Sequence, residues 1–98
     1  MQNTSFRIKE NSWLAKAAAY KLKSNNAAIV FGNTIHLYGV TKNDFLQNEK
    51  WLKHELCHVQ QFRQHGCFPF IAKYIVESIR KGYYNNKYEV EARLAEEL

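Results

Sequence analysis

The spacing of apolar residues along the chain alternates between helical and strand-like patterns. Residues 13–23 combine alanine, leucine and lysine, which favour a helix, and Asn11 or Ser12 stands where an N-terminal cap is needed. The polar tripeptide at residues 24–26 interrupts this pattern. The sequence therefore predicts a first helix that ends before Ala27.

A β-hairpin is predicted next. Two runs rich in β-branched and aromatic residues, at residues 27–31 and 34–39, flank a Gly-Asn pair at residues 32–33. A two-residue connection of this kind favours a tight turn between antiparallel strands. Thr41, followed three residues later by Asp44, then resembles the start of a short helix.

The longest amphipathic pattern occupies residues 49–65. Its apolar residues recur at helical spacing and define a face that needs burial, namely Trp51, Leu52, Leu56, Val59 and Phe62. Gly66 follows at the position where a helix commonly stops. We predict one helix over this whole segment.

Two further helices are predicted in the last third of the chain. Pro69 suits the first turn of a helix at residues 69–82, which ends at a glycine. After a loop at residues 83–86, Asn86 can cap a last helix at residues 87–98.

These elements predict a single domain over residues 1–98, of the α+β class, mostly helical and with one small sheet. Apolar residues make up 46% of the chain, which is enough for one modest core. No apolar run approaches the roughly 18 residues that a membrane span needs, and residues 1–13 lack a secretory signal. We therefore expect a cytoplasmic protein without a membrane partner.

The charge of the chain is modestly basic, with a formal net charge of +5. Lysine and arginine are spread along the whole sequence, as on a solvated helical surface, rather than gathered in one run. We therefore do not expect a nucleic-acid partner. The sequence makes no prediction of the oligomeric state.

A candidate metal site lies in the longest predicted helix, where residues 54–58 match the pattern H-E-x-x-H. Because each helical residue advances by about 100°, His54 and His58 lie one turn apart on one face and can reach the same ion. Glu55 projects beside that ion, where it can take a proton from a metal-activated water. The pattern is typical of a zinc hydrolase with one Zn²⁺ ion.

A third protein ligand is expected, because catalytic zinc sites usually have three. Glu89 and Glu91 in the last predicted helix are the candidates, and their directions differ by about 200°, so one of them should face the ion. We favour Glu89, which has the small Ala92 on a nearby face. Asn86 and Glu89 also match a capping box that would occupy Glu89, so Glu91 remains an alternative.

The remaining histidines and cysteines fit structural roles better. His65 is two turns from His58 and too distant to share an ion, whereas His36 in the hairpin has either a strand-surface or a substrate-side role. Cys57 points about 100° away from His58 on the helix, and we interpret it as a buried core thiol. Cys57 and Cys67 form no C-x-x-C pair, so reduced thiols are expected inside a cell.

Over a longer stretch, the chain resembles the gluzincin class of zincin metallopeptidases. The resemblance covers about residues 27–95 and rests on four segments: AIVFGNTIHLYG at 28–39, HELCHVQQF at 54–62, GCFPFIAKYI at 66–75 and GYYNNKYEVEAR at 82–93. Within this class, the chain is most similar to the minimal members of about a hundred residues, which are called minigluzincins.

This resemblance implies a zincin-like fold and zinc-dependent hydrolysis of a peptide or protein substrate. It implies that His54, His58 and Glu89 hold the zinc ion and that Glu55 is the general base. It also implies that the strand at residues 34–39 is an edge strand that pairs with an extended peptide, through backbone groups that an edge strand leaves free.

Several features favour restrained activity. No single residue matches the group that stabilises the oxyanion in larger gluzincins, and the candidates are Tyr83, Tyr84, Tyr88 and Arg93. The acidic segment at residues 93–98 could reach the cleft, as a blocking terminal segment of a zymogen would. The alternative function is therefore a catalytically silent or latent zincin-like domain, with a structural zinc ion or a peptide-binding role.

Overall fold

The computed structural model describes residues 5–98, which form five α-helices and a three-stranded mixed sheet, so the predicted α+β class is confirmed. The elements follow in the order β1 (Arg7–Lys9), α1 (Trp13–Leu22), β2 (Ala27–Phe31), β3 (Thr34–Tyr38), α2 (Lys42–Gln47), α3 (Glu49–His65), α4 (Cys67–Asn85) and α5 (Lys87–Ala95). No helix in this part of the chain is both long and apolar enough to cross a membrane.

Polar side chains fix where most of these helices begin. Four of the five described helices start at a residue whose side chain accepts a backbone hydrogen bond from the first turn, namely Ser12, Thr41, Asn48 and Asn86. Ser12 rather than Asn11 therefore caps α1. Gly66, with a φ angle of +85°, ends α3 at the predicted position.

The sheet has the strand order β1–β3–β2, with β1 parallel and β2 antiparallel to β3. The tight connection at Gly32 and Asn33 joins β2 and β3, as the hairpin pattern predicts. The prediction that the strand at residues 34–39 lies at an edge is wrong, because β1 pairs with its other side. Within the described residues, the hairpin strand at an edge of the sheet is β2, and its outer edge has no partner strand.

The hydrophobic core lies between the sheet and α3, with α2, α4 and α5 contributing around them. Its buried members come from β2, β3 and the last four helices, namely Val30, Ile35, Leu37, Phe45, Val59, Phe62, Phe70 and Tyr88. Helix α3 contacts β2, β3, α2, α4 and α5, so it is the central element of the fold. The H-E-x-x-H segment therefore lies on the helix that is held from most sides.

In the last third of the chain, the helices begin and end at residues other than those predicted. Helix α4 begins at Cys67, two residues before Pro69, and is interrupted at Gly82, whose φ of 81° leaves the helical region. Residues 83–85 form a further helical turn after this break, so the predicted loop there is wrong. Helix α5 ends at Ala95 rather than at the end of the chain.

Candidate metal centre

The side chains of His54, His58 and Glu89 converge into a cluster that could hold a metal ion. One ligand atom from each lies within 4.8 Å of those of the other two. The Glu89 carboxylate is 3.1 Å from Nε2 of His54 and 3.2 Å from Nε2 of His58. The three side chains are therefore close enough for one metal ion to contact all of them.

Two packed helices bring these three residues together. The two histidines stand one turn apart on α3, and their rings meet edge to face with centroids 5.1 Å apart. Glu89 lies in the first turn of α5, which packs against α3. Ala92, one turn after Glu89, is completely buried, and its small side chain permits this close approach.

The second ring nitrogen of each histidine has its own partner. Nδ1 of His54 is 2.7 Å from a carboxylate oxygen of Glu96, and Nδ1 of His58 is 2.8 Å from Oε1 of Gln61. The Nε2 atoms are thus the pair that faces Glu89. Such outer hydrogen bonds hold a metal-binding imidazole in its orientation.

The two candidate glutamates, Glu89 and Glu91, make different contacts. Glu89 contacts both histidines and accepts a hydrogen bond of 2.5 Å from the Tyr74 hydroxyl, so its carboxylate lies within the cluster. Glu91 instead accepts a hydrogen bond of 2.6 Å from Nε2 of Gln61. The geometry therefore brings Glu89, and not Glu91, to the two histidines, and the Glu89 side chain does not serve a capping box.

The electrostatic environment favours a negative Glu89 among positive histidines when no metal is bound. Burial alone would raise the pKa of Glu89, but hydrogen bonds from His54 and His58 outweigh burial and hold this pKa well below its usual range. Burial opposes charge on His54 as well, yet its hydrogen bond to Glu89 and the charge of Glu55 raise its pKa to about 9. The pKa of His58 is raised for the same reasons.

Glu55 lies beside the cluster on α3 and is 6% exposed. Burial raises its pKa to about 7, even though the positive charges of His58 and His54 partly offset this rise. A carboxylate with a pKa near neutrality can both accept and return a proton at physiological pH, as a general base must.

A cavity of about 520 Å³ opens onto the cluster. Its floor includes His54, Glu55, His58 and Glu89, and residues 28–31 of the edge strand β2 line one side. The rest of the wall is mainly apolar and comes from α1, α3 and α4, with Leu22, Phe62, Phe70, Ile71 and Ile75 among its members. Residues of β2, Glu55 and the two histidines thus line one cavity.

Two tyrosines from α4 reach this cavity. Tyr74 donates its hydroxyl hydrogen to Glu89 and was not predicted as a site residue, because only the packing of α4 against α5 brings it there. Tyr83 was one of four candidates for stabilising an oxyanion. Burial, together with the charges of Glu89 and Glu55, raises the pKa of Tyr83 to about 12.

The other three candidates for the oxyanion role have different surroundings. Tyr88 is buried in the core, where its ring contacts Phe70 with centroids 5.0 Å apart. Arg93 lies 3.9 Å above the ring of Tyr84 and also donates a hydrogen bond to the Tyr84 backbone carbonyl. None of these three lines the cavity, which leaves Tyr83 as the candidate from this set.

The remaining histidines lie outside the cluster. The His36 ring forms a 2.8 Å hydrogen bond with Ser12 at the start of α1, and burial followed by the charge of Lys9 lowers its pKa. His65 stacks on Phe70 with an interplanar angle of 15°. Both side chains thus have structural partners, and the substrate-side role for His36 finds no support in these contacts.

Both cysteines are free thiols, as expected. Cys57 is only partly buried, and its sulfur lies 3.6 Å from the Gln61 amide, on the side of α3 that faces Glu91. Its interpretation as a buried core thiol is therefore wrong. Burial, followed by the charge of Glu91, raises the pKa of Cys57 to about 11, so this thiol remains protonated at neutral pH.

The acidic C-terminal segment contacts α3 but does not line the cavity. Glu96 contacts His54, Glu97 forms an ion pair of 3.6 Å with Lys50, and the backbone carbonyl of Leu98 accepts a hydrogen bond from Lys53. In this arrangement, the segment reaches the candidate metal centre from outside the cavity rather than covering it.

Fold and site together define a small α+β domain with a candidate metal centre of two histidines and one glutamate. The family model for the eCIS core domain matches residues 4–66, more than half of the chain, and the chain belongs to this family of domains from extracellular contractile injection systems. No curated protein and no solved structure matches it. The matched range contains the H-E-x-x-H segment and ends before Glu89.

Proposed function

We propose that this domain is a zinc-dependent peptidase of the gluzincin type, in which His54, His58 and Glu89 hold one zinc ion and Glu55 is the general base. The observation that carries the proposal is the placement of Glu55, which is buried beside both histidines and lines the same cavity as the cluster. A bound zinc ion would polarise the substrate carbonyl and lower the pKa of a coordinated water.

Glu55 supplies the proton transfers in this proposal. It takes a proton from the attacking water and then delivers that proton to the leaving amine of the substrate. In the metal-free protein, burial raises the pKa of Glu55 to about 7, in the range that suits a general base near neutral pH. The Tyr83 hydroxyl, which lines the same cavity, is the proposed donor to the oxygen that gains charge in the transition state.

The substrate in this proposal is an extended peptide. The outer edge of β2 has no partner strand among the described residues, so its backbone groups can pair with an added strand. Residues 28–31 of β2 also line the cavity that contains Glu55. The apolar wall that includes Leu22, Phe31 and Ile75 favours peptides with a large apolar side chain at the site of cleavage.

The experiment is to measure zinc content and peptide cleavage on the same preparations of the unmodified protein and of Glu55→Gln. The unmodified protein should hold about one zinc ion per chain after dialysis and cleave members of a random peptide library. Glu55→Gln should keep the zinc and lose cleavage. A protein that holds no zinc at neutral pH would contradict the proposed site.

Family membership favours a second candidate, a non-catalytic part of an extracellular contractile injection system that uses the same zinc ion structurally and binds a peptide along β2. The two proposals differ in one result. If the zinc-loaded protein binds library peptides with the same affinity before and after Glu55→Gln, and cleaves none of them, the second candidate is the correct one.

A further inference from the structure

Gln61 makes an unusual set of contacts for a side chain that is only 1% exposed. It lies on α3 almost one turn after His58, and its amide reaches Nδ1 of His58 at 2.8 Å. The same amide contacts the backbone carbonyl of Tyr88 at 3.1 Å and a carboxylate oxygen of Glu91 at 2.6 Å. Gln61 thus connects a histidine of the cluster to α5, the helix that carries Glu89.

These contacts determine which way the Gln61 amide points. A backbone carbonyl can only accept hydrogen bonds, so the Gln61 atom that faces Tyr88 must be the NH₂ group, and the same group faces Glu91. The amide oxygen is then the atom that faces His58. An amide oxygen can only accept, so Nδ1 of His58 must carry a hydrogen.

We propose that Gln61 and Glu91 form a relay that positions His58 for metal binding, by fixing the hydrogen on Nδ1 and leaving Nε2 free to face the ion. This inference rests on the proposed zinc site. It also assigns a role to Glu91, which acts through Gln61 on the back of the His58 ring rather than on the metal. Gln61 and Glu91 are positioning residues and not ligands.

The test uses zinc as the only ligand and compares Gln61→Met with Gln64→Met. Methionine keeps a similar length at position 61, but its thioether is only a weak acceptor for the His58 hydrogen. Gln64 is exposed on the same helix. We expect Gln61→Met to weaken zinc affinity about 10–100-fold in competition with a coloured chelator. Gln64→Met should leave the affinity unchanged.

A double substitution that exchanges the side chains of Gln61 and Glu91, called the exchanged pair, distinguishes positioning of His58 from a general packing effect. Gln61→Glu alone places two carboxylates against each other and should weaken zinc binding. Adding Glu91→Gln restores a donor and an acceptor at this contact, with their positions exchanged, and should recover part of the affinity, because a carboxylate at position 61 still has no hydrogen to donate to the Tyr88 carbonyl. Glu91→Gln alone leaves an amide oxygen to accept from Gln61 and should change little.

The two ring nitrogens of His58 can be observed directly, and they report which nitrogen binds the zinc ion. In the zinc-loaded protein, ¹H–¹⁵N correlation spectra should show His58 bound through Nε2, with a slowly exchanging hydrogen on Nδ1 that exchanges faster in Gln61→Met. Coordination through Nδ1, unchanged affinity of Gln61→Met, or no recovery in the exchanged pair would each overturn the relay. An unmodified protein that binds no zinc would instead overturn the proposed function.

Discussion

A carboxylate oxygen of Glu96 lies 2.7 Å from Nδ1 of His54, while Nε2 of the same ring faces Glu89. Glu96 thereby holds the His54 ring from the side opposite the proposed ion. Glu96→Ala should weaken zinc affinity about tenfold, because the His54 ring loses an anionic partner that orients it and raises its basicity. Competition with a chelator measures this change.

The neighbouring Glu97 provides the control for Glu96. Its ion pair with Lys50 is 3.6 Å long, and both side chains are 68% exposed, so the pair contributes little. Glu97→Ala should therefore bind zinc like the unmodified protein. Equal affinities for Glu96→Ala and Glu97→Ala would show that Glu96 does not support His54.

Tyr83 is expected to act on catalysis and not on zinc binding. Its hydroxyl lies at the cavity beside Glu55 and Glu89, and removing one donor to a developing oxyanion costs about 10²–10³-fold in kcat. Tyr83→Phe should show this loss with unchanged zinc content. Tyr84→Phe is the matched control, because the Tyr84 ring instead contacts Arg93. A fully active Tyr83→Phe would exclude the proposed role.

Zinc affinity and the stability of the metal-free protein should change with pH in opposite directions. The pKa of His54 rises from 6.5 to about 9 on folding, so its charged form stabilises the metal-free protein fully below pH 6.5, and this contribution is lost as pH rises towards 9. Zinc must displace the same proton, so zinc affinity should increase over this range, by up to about tenfold per pH unit for each proton displaced.

Thermal unfolding at pH 6.5, 7.5 and 8.5, with and without zinc, measures both trends together. The increase in Tm that zinc produces should be larger at pH 8.5 than at pH 6.5. His65→Ala should retain these trends, because His65 stacks on Phe70 outside the cluster. A zinc effect on Tm that is constant over this range would mean that His54 is not the protonated ligand.

Asn86 should be a large single contributor to stability near the site. Its side chain is 0% exposed, accepts a hydrogen bond from Tyr88 N–H, and donates to the Tyr74 carbonyl and the Ser78 hydroxyl. Asn86→Ala leaves these groups without their partner and should lower the free energy of unfolding by about 2 kcal/mol. Urea unfolding measures the loss.

The adjacent asparagine is a suitable comparison, because Asn85 is exposed. Asn85→Ala should unfold within about 0.5 kcal/mol of the unmodified protein. Asn86→Ala should also bind zinc more weakly, since it loosens the start of the helix that carries Glu89. Similar urea midpoints for the two variants would contradict the role of Asn86.

The features that the sequence predicts well are local ones. Helical geometry alone relates His54 to His58, and the cap at Asn86 depends only on residues that follow it. The direction of Glu89 required one more observation, the small Ala92 one turn later, which indicated where another helix could approach. These inferences work because the residues involved lie within a turn of each other.

The features that the sequence does not reveal depend on packing between distant segments. Tyr74 and Glu96 reach the cluster only because α4 and the end of α5 fold against α3. Strand β1 has three residues, which is too short to show alternation, and without β1 the sequence pattern predicts an edge position for β3. The three residues of the cluster could thus be predicted from the sequence, but the residues that contact them from other elements could not.

His54 and Glu89 lie 35 residues apart in sequence, on two helices that no disulfide joins. A zinc ion there would act as a removable cross-link, similar in effect to a disulfide, in a chain whose two cysteines remain thiols. At a hundredfold excess over its Kd, zinc would add about 2.7 kcal/mol to stability. The lifetime of the folded protein would then follow the zinc supply of its surroundings.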